Sequence, residues 1–219
     1  RVIGILDEAE LNQKSIDRIL LTSRRYPSSG GANHLSKELN NCPIHIHPEG
    51  QSSLETGDFF TTWANRFDSD MPVTVTESVN DDDVFPLGNG QICAMALPGH
   101  SSDGVCYYIP EKDLLVSGLL IPRADRPTRW DMPTGCLPDV VKSLRRIRKL
   151  KLETLIPFQG PAIKGKEHVL DVLNRHIAFF EDCINNDGVI PKSWSRPAPT
   201  AMWLTPHPPW PLEEREEIN

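Results

Sequence analysis

The amino-acid sequence predicts an α/β fold, in which strands and helices alternate within one large domain. The apolar run at residues 19–21 indicates a buried strand, which leads through a loop of proline, serine and glycine into a predicted helix at 32–39. Apolar residues at helical spacing predict a longer helix at 166–184. A chain of 219 residues is long enough for one such domain with a substantial core.

The composition is ordinary for a soluble protein. The formal net charge of −7 argues against binding to nucleic acid or to an anionic membrane surface. No apolar run approaches the roughly 20 residues that span a bilayer. The five cysteines are scattered and odd in number, which indicates reduced thiols in an intracellular protein. We therefore expect neither a nucleic acid nor a membrane as a partner.

The remaining elements follow along the chain with few breaks. A strand is predicted around His45 and His47, and a hairpin turns at the glycines of residues 88–90. Further helices are predicted at 7–17, 52–66 and 138–149, and further strands at 73–76, 84–87, 91–97, 105–109 and 114–120.

Two of these segments carry side chains that could bind a ligand. His45 and His47 would share one face of a strand, as two metal ligands do, but without a third ligand we interpret them as surface residues. Helix 52–66 carries Phe59, Phe60 and Trp63, which we interpret as the packing face of an ordinary helix.

The loop after the first strand carries the clearest motif. Thr22, Gly30 and Gly31 match in register the first metal-binding motif of the metallo-β-lactamase superfamily, Thr-His-x-His-x-Asp-His-x-Gly-Gly, which this stretch resembles. The four ligand positions of that motif have all changed, and they hold Ser23, Arg25, Pro27 and Ser28.

Three later segments resemble further motifs of the same superfamily, in the family's order. The Pro-Gly-His sequence that ends at His100 has its histidine in the ligand position. Leu119 follows Ser117 and Gly118, where the family has the metal-bridging aspartate, and Gln159 replaces the histidine of the last motif. With four frames in order, the chain is identified as a degenerate member that lacks most metal ligands.

The resemblance implies a four-layer αβ/βα sandwich over residues 1–188, with the site at the ends of the strands. Members of the superfamily normally carry several strands before the first motif, whereas about 18 residues precede it here. We therefore expect N-terminal strands to be missing from this chain, either because it is a fragment or because another segment supplies them.

The chemistry that the resemblance implies is hydrolysis assisted by a pair of zinc or iron ions, and the residues here do not support it. A catalytic zinc site needs about three protein ligands, and of the seven expected positions only the one held by His100 coordinates well. Arg25 would place a permanent cation where a dication would sit. We predict a vestigial pocket without metal or other cofactor, formed by Ser23, Arg25, Ser28, His100 and Gln159.

The leading interpretation is a pseudoenzyme, a superfamily fold that serves as a non-catalytic binding or structural subunit. One alternative is a metal-free hydrolase in which His100 acts as base for Ser28 or Ser23 and Arg25 holds an anionic substrate. Another is a weak hydrolase with one metal, held by His100 and a residue such as Asp103.

Residues 189–219 form a tail of different composition. Seven prolines between residues 191 and 211 block helix and sheet interiors. The tail also carries Trp194, Trp203 and Trp210, whose apolar surface is costly to leave in water. We predict that the tail docks on this domain or on a protein partner, or mediates self-association.

Overall fold

The structure is a computed structural model, and it describes residues 2–9 and 16–194. Its helices are Val2–Glu8 (α1), Tyr26–Ser29 (α2), Ala32–Glu38 (α3), Pro48–Glu55 (α4), Leu137–Arg148 (α5) and Lys166–Asn185 (α6). Its strands are Ile19–Leu20 (β1), Ile44–Ile46 (β2), Glu77–Ser78 (β3), Val84–Leu87 (β4), Gly90–Ala96 (β5), Val105–Ile109 (β6), Leu114–Val116 (β7), Thr154–Ile156 (β8) and Ile163–Lys164 (β9).

The strands form two sheets. The first is parallel, with order β1-β2-β3, and the second has six strands in sequence order from β4 to β9. In the second sheet β7 and β8 are parallel, because α5 carries the chain back across, and the other neighbours are antiparallel. The sheets meet where the Val105 amide donates to the Thr22 carbonyl at 3.0 Å and the Tyr107 hydroxyl donates to the Leu21 carbonyl at 2.8 Å.

Three apolar clusters define the layers of the sandwich. One lies between the first sheet and its helices and includes Ile46 and Leu54. A second lies between the two sheets, where Val79 and Tyr107 are buried. The third and largest packs α5 and α6 on the second sheet. The predicted four-layer αβ/βα sandwich is therefore confirmed.

The N-terminal part of the first sheet is short in the described residues. Before β1 they hold only α1, and β1 and β3 have two residues each. Whether strands are missing from the chain stays a prediction. No helix in residues 2–9 or 16–194 is both long and apolar enough to cross a bilayer.

Elements with strong periodicity are found where the sequence predicts them. Helices α5 and α6 lie within one residue of their predicted bounds, and the hairpin of β4 and β5 turns at Gly88, whose φ is +55°. All five cysteines are free thiols, in agreement with the predicted reduced state.

Three predictions in the first half of the chain are wrong. The helix expected at 52–66 is α4, which ends at Glu55 because Gly57 follows with a φ of +67°. Phe60 lies outside any helix, is 62% exposed and stacks on Phe59 at 4.3 Å. The strand expected at 73–76 is irregular, and β3 begins only at Glu77.

The remaining differences concern two histidines, a later strand and a terminus. His45, interpreted as a surface residue, is buried in β2. The strand predicted at 114–120 ends at Val116, and residues 118–120 form a 3-10 helix. His47 does not share a strand face with His45, because it lies at the N-cap of α4, where its Nδ1 accepts the Glu49 amide at 3.3 Å.

The helix predicted at 7–17 is not found in the described residues. Helix α1 shares only Asp7 and Glu8 with it, residues 16 and 17 are irregular, and residues 10–15 lie outside the described residues.

The beginning of the predicted tail lies on the domain. Trp194 is half-buried, its ring packs edge-on against Phe179 at 5.4 Å, and its Nε1 donates to Asp182 Oδ2 at 2.7 Å. Trp203 and Trp210 lie outside the described residues.

We expect Trp194→Ala to lower the free energy of unfolding by about 2 kcal/mol, because it removes a half-buried aromatic ring and leaves Asp182 without its donor. Phe60→Ala, at an exposed position, is the control and should change it by less than about 0.5 kcal/mol. Urea denaturation of both variants measures the difference. Equal stability of the two would show that the contact of Trp194 with α6 contributes nothing.

Candidate functional site

The site lies where the loop after β1 meets the ends of the second sheet. Thr22 lies two residues beyond the end of β1, and Gly118, just after β7, approaches it closely. Gly118 has a φ of +51°, and a Cβ added to it would lie 2.5 Å from the Thr22 Cβ. Only glycine fits this position. The first motif and the motif that precedes the family's bridging aspartate are thereby held together.

Arg25 fills the position between these loops. Its side chain is almost fully buried, with 1% of the residue exposed. Nη1 donates to the Thr61 carbonyl at 2.5 Å, and Nη2 donates to the Pro133 carbonyl at 2.5 Å and to the His100 carbonyl at 3.4 Å. Burial lowers the pKa of Arg25 to about 10, so the guanidinium stays charged at neutral pH. One cation thus joins three separate loops.

A second buried arginine lies next to it, paired with an acid. Arg24 Nε lies 3.0 Å from Asp103 Oδ1, and the Arg24 amide donates to Asp103 Oδ2 at 2.5 Å. Nη2 also donates to Ser102 Oγ at 2.7 Å. Asp103 is fully buried, so its charge is balanced by Arg24. It is therefore not available as the second metal ligand of the one-metal alternative.

A third buried arginine, Arg129, completes the cluster. It forms a fork-like ion pair with Asp131, through Nε to Oδ1 at 2.7 Å and through Nη2 to Oδ2. Trp63 lies within reach of two guanidinium groups, 5.0 Å from Arg129 and 5.9 Å from Arg25. The predicted pocket did not include Arg24, Arg129 or Trp63.

His100 is buried and oriented by the neighbouring loop. Its Nδ1 lies 3.0 Å from Thr128 Oγ1 and 3.1 Å from the Arg129 carbonyl. Thr128 Oγ1 itself donates to the Leu119 carbonyl at 2.6 Å. The proton is therefore on Nδ1 of His100, and Nε2 is a lone-pair acceptor without a hydrogen-bond partner in the described residues. Burial, with Arg25 nearby, lowers the pKa of His100 to about 3.

The space beside His100 is almost closed. A cavity of about 10 Å³ lies there, lined by the Ser23, Ser101 and Leu119 side chains among others. Ser23 Oγ lies 3.2 Å from Ser101 Oγ and accepts the Arg25 amide at 3.2 Å. A cavity of this size holds about one water molecule.

The structure brings together some of the predicted pocket residues and not others. Ser23, Arg25 and His100 lie at the centre. Ser28 Oγ is buried and has no hydrogen-bond partner in the described part of the chain, so it does not contact His100 Nε2. Gln159 is exposed, and its amide donates to the Pro122 carbonyl at 2.9 Å. The last family motif therefore does not deliver a side chain to the pocket.

These donors do not fit the metal pair that the resemblance implies. His100 Nε2 is the one strong ligand at the family positions, and Ser23 is a weak neutral one. The Arg25 guanidinium lies against the His100 carbonyl, in the same loop junction. Within residues 2–9 and 16–194, no group of three His, Cys, Asp or Glu side chains is placed to hold a metal.

The low pKa of His100 predicts that the stability of the folded protein depends on pH. The unfolded histidine has a pKa of about 6.5 and the folded one about 3, so the unfolded state binds the extra proton between these values. Stability is therefore fully present above pH 6.5 and is lost as the pH falls towards 3. Between pH 6.5 and 4.5 we expect His100 to account for a loss of about 2 kcal/mol.

The measurement is urea denaturation across this pH range for the natural chain and for His100→Asn. Asparagine keeps an N–H donor near the position of Nδ1 and does not titrate. The stability gap between the two proteins should narrow by about 2 kcal/mol as the pH falls. Parallel curves would show that His100 titrates normally in the folded protein.

Comparison with known proteins agrees with the fold. A sequence profile of the metallo-beta-lactamase superfamily matches residues 2–159. A hydroxyacylglutathione hydrolase of Idiomarina loihiensis is 28% identical over 151 residues, which are 67% of this chain and 48% of that protein. The acyl-coenzyme A thioesterase MBLAC2 of Homo sapiens is 26% identical over 134 residues, 52% of this chain and 46% of that protein. This chain spans about half the length of the curated relatives it matches.

Solved structures show the same fold at lower identity. TTHA1623, in a di-iron-bound form, aligns with a TM-score of 0.64 at 24% identity, over 80% of this chain and 81% of that one. The B3 metallo-beta-lactamase BLEG-1 aligns with a TM-score of 0.67 at 19% identity, over 78% and 80% of the two chains. With the profile covering most of its length, this chain belongs to the metallo-β-lactamase superfamily.

Proposed function

We propose that this chain is a non-catalytic member of its superfamily, which acts by binding rather than by hydrolysis. The observation that carries the proposal is the Arg25 guanidinium, buried between three loops and bonded to the carbonyls of Thr61, Pro133 and His100. A substrate and an activated water would need this space, and the cavity that remains holds about one water.

Electrostatics supports the same proposal. Arg25 has two cationic neighbours, Arg24 and Arg129, whose charges further disfavour its own charged form. A metal dication placed beside three buried guanidinium groups would be repelled by all of them, and Asp103 and Asp131 would offset this repulsion in part. Both carboxylates already pair with arginines.

The alternative hydrolase would need a base in contact with a nucleophile. That mechanism assigns His100 as base and Ser28 or Ser23 as nucleophile, but in the described residues His100 Nε2 has no hydrogen-bond partner, so it bonds to neither hydroxyl. Ser23 Oγ instead lies 3.2 Å from Ser101 Oγ and accepts the Arg25 amide. Arg25, its assigned anion holder, already donates to carbonyl groups. We therefore do not propose the metal-free reaction.

The relatives suggest which reactions to assay. They are named for acting on hydroxyacylglutathione and on acyl-coenzyme A. We expect this chain to hydrolyse neither above the buffer background, with or without added zinc, iron or manganese. Metal analysis of the purified protein should find far less than one equivalent. Stoichiometric metal with metal-dependent turnover would overturn the proposal.

A variant in which the family's ligands are restored serves as the positive control for metal binding. Ser23→His, Arg25→His, Pro27→Asp, Ser28→His and Leu119→Asp together restore the ligands of the first and bridging motifs. The combined variant should gain metal binding, measured by calorimetric titration with zinc. A matched variant with the other four substitutions, in which Arg25 is kept, should not gain zinc binding, because the guanidinium remains in the site. Equal zinc binding by the two variants would show that Arg25 does not block the site.

We further propose that the Pro/Trp-rich segment after Trp194 mediates association, with a protein partner or with a second copy. The support is the sequence, which places Trp203 and Trp210 among prolines that favour an extended chain. In the full chain, the double substitution Trp203→Ser and Trp210→Ser should leave the melting temperature unchanged and abolish association. Light scattering of the purified chain measures self-association, and light scattering of the chain with a co-purified protein measures binding to a partner. A lowered melting temperature would instead indicate docking on this domain.

A further inference from the structure

A second cavity lies away from the vestigial pocket, on the side of the second sheet covered by α6. Its volume is about 180 Å³, and it is bounded by α6, by residues 124–127 and by Trp194. It shares no lining residue with the closed cavity beside His100. A cavity of about 150 Å³ holds one benzene ring, so this one has room for a small ring compound.

Two cations line this cavity. Arg126 and Arg175 both contribute to its wall, and within residues 2–9 and 16–194 neither guanidinium makes an ion pair or a hydrogen bond. The acidic residue of the wall, Asp125, already accepts from Arg123 Nε at 2.9 Å and from Nη2 at 3.2 Å. Asp125 also interacts electrostatically with Arg126, so its one negative charge is shared between arginines. The lining therefore keeps a net positive charge, to which an anionic group could form charge-assisted hydrogen bonds.

Aromatic rings form another part of the wall. Phe179 and Trp194 pack at 5.4 Å with their planes at 87°. The Trp194 ring is held in place because its Nε1 donates to Asp182 Oδ2 at 2.7 Å. Fixed aromatic walls favour a planar or apolar body in the ligand.

A buried acceptor adds to this lining. His176 Nε2 donates to the Ala124 carbonyl at 3.1 Å, which leaves Nδ1 as a lone-pair acceptor. This atom is buried and has no hydrogen-bond partner in the described part of the chain. Burial lowers the pKa of His176 to about 4, so the ring is neutral at physiological pH. Arg126 and Arg175 are therefore the cations of the lining.

We propose that this cavity binds a small aromatic anion, with its ring against Phe179 and Trp194 and its acidic group between Arg126 and Arg175. A wall that carries both cations and rings matches the charged and the aromatic part of such a molecule. The proposal does not depend on the vestigial pocket, and it holds whether or not the chain hydrolyses a substrate.

Phenylphosphonate is the probe, titrated into the full chain and followed by calorimetry and by amide shifts in NMR spectra. We expect saturable binding at one site. Benzyl alcohol, which lacks the charge, and methylphosphonate, which lacks the ring, should each bind at least about tenfold more weakly. Arg126→Gln and Arg175→Gln should each weaken phenylphosphonate binding by about tenfold or more.

Arg66→Gln is the matched control, because it removes one exposed arginine far along the chain from the cavity and should leave binding unchanged. Melting temperatures of all three variants test that the fold is intact. Three results would overturn the proposal: no saturable binding of phenylphosphonate to the full chain, unchanged binding by both cavity variants, or equal affinity for benzyl alcohol.

Discussion

The buried guanidinium of Arg25 is the interaction on which the arrangement of the site depends. Its acceptors, the carbonyls of Thr61, Pro133 and His100, lie on three loops that are far apart in the chain. A metal would join such loops through side-chain ligands and leave a position open for water. A guanidinium joins them through fixed N–H donors, and it offers neither an open coordination position nor a Lewis acid. The Arg25 guanidinium can therefore hold these loops together without a metal ion.

This arrangement has an electrostatic cost that the neighbours only partly offset. The Arg24–Asp103 and Arg129–Asp131 pairs are balanced, whereas Arg25 has no ion pair of its own in the described residues and is bonded to carbonyl groups, with the Trp63 ring and the Asp103 charge nearby. Its lowered pKa, about 10, records the burial penalty, and it is still high enough to keep the charge at neutral pH. The Arg25 cation, held by carbonyl groups, also repels any second cation. The contacts that stabilise the site therefore also disfavour the entry of a metal ion.

The sequence predicted the layers of the fold and the position of Arg25, because both depend on local patterns. Helices α5 and α6 have strong apolar periodicity, and Arg25 lies in register with a motif. The end of α4 and the role of His47 were missed, because glycine and cap geometry decide them. The Arg24–Asp103 pair joins residues 79 positions apart, which no local pattern reveals. Gln159 was placed in the pocket by motif register alone. In the structure its backbone amide donates a hydrogen bond to the Pro122 carbonyl, and its side chain is exposed.

The loop at 123–129 contacts both His176, beside the α6 cavity, and His100, at the closed pocket. At one end the Ala124 carbonyl accepts from His176, and at the other the Arg129 carbonyl and Thr128 lie against His100 Nδ1. Both imidazoles are buried and neutral, because burial lowers the pKa of each. A neutral imidazole donates through one nitrogen only, so each ring fixes one end of the loop and leaves its other nitrogen without a donor. The loop thus runs between the cavity beside α6, whose wall includes residues 124–127, and His100 at the closed pocket, which the loop orients but does not line. It also carries Arg126, so a ligand that displaced this arginine would act on a segment held at both ends by a hydrogen bond to a buried imidazole.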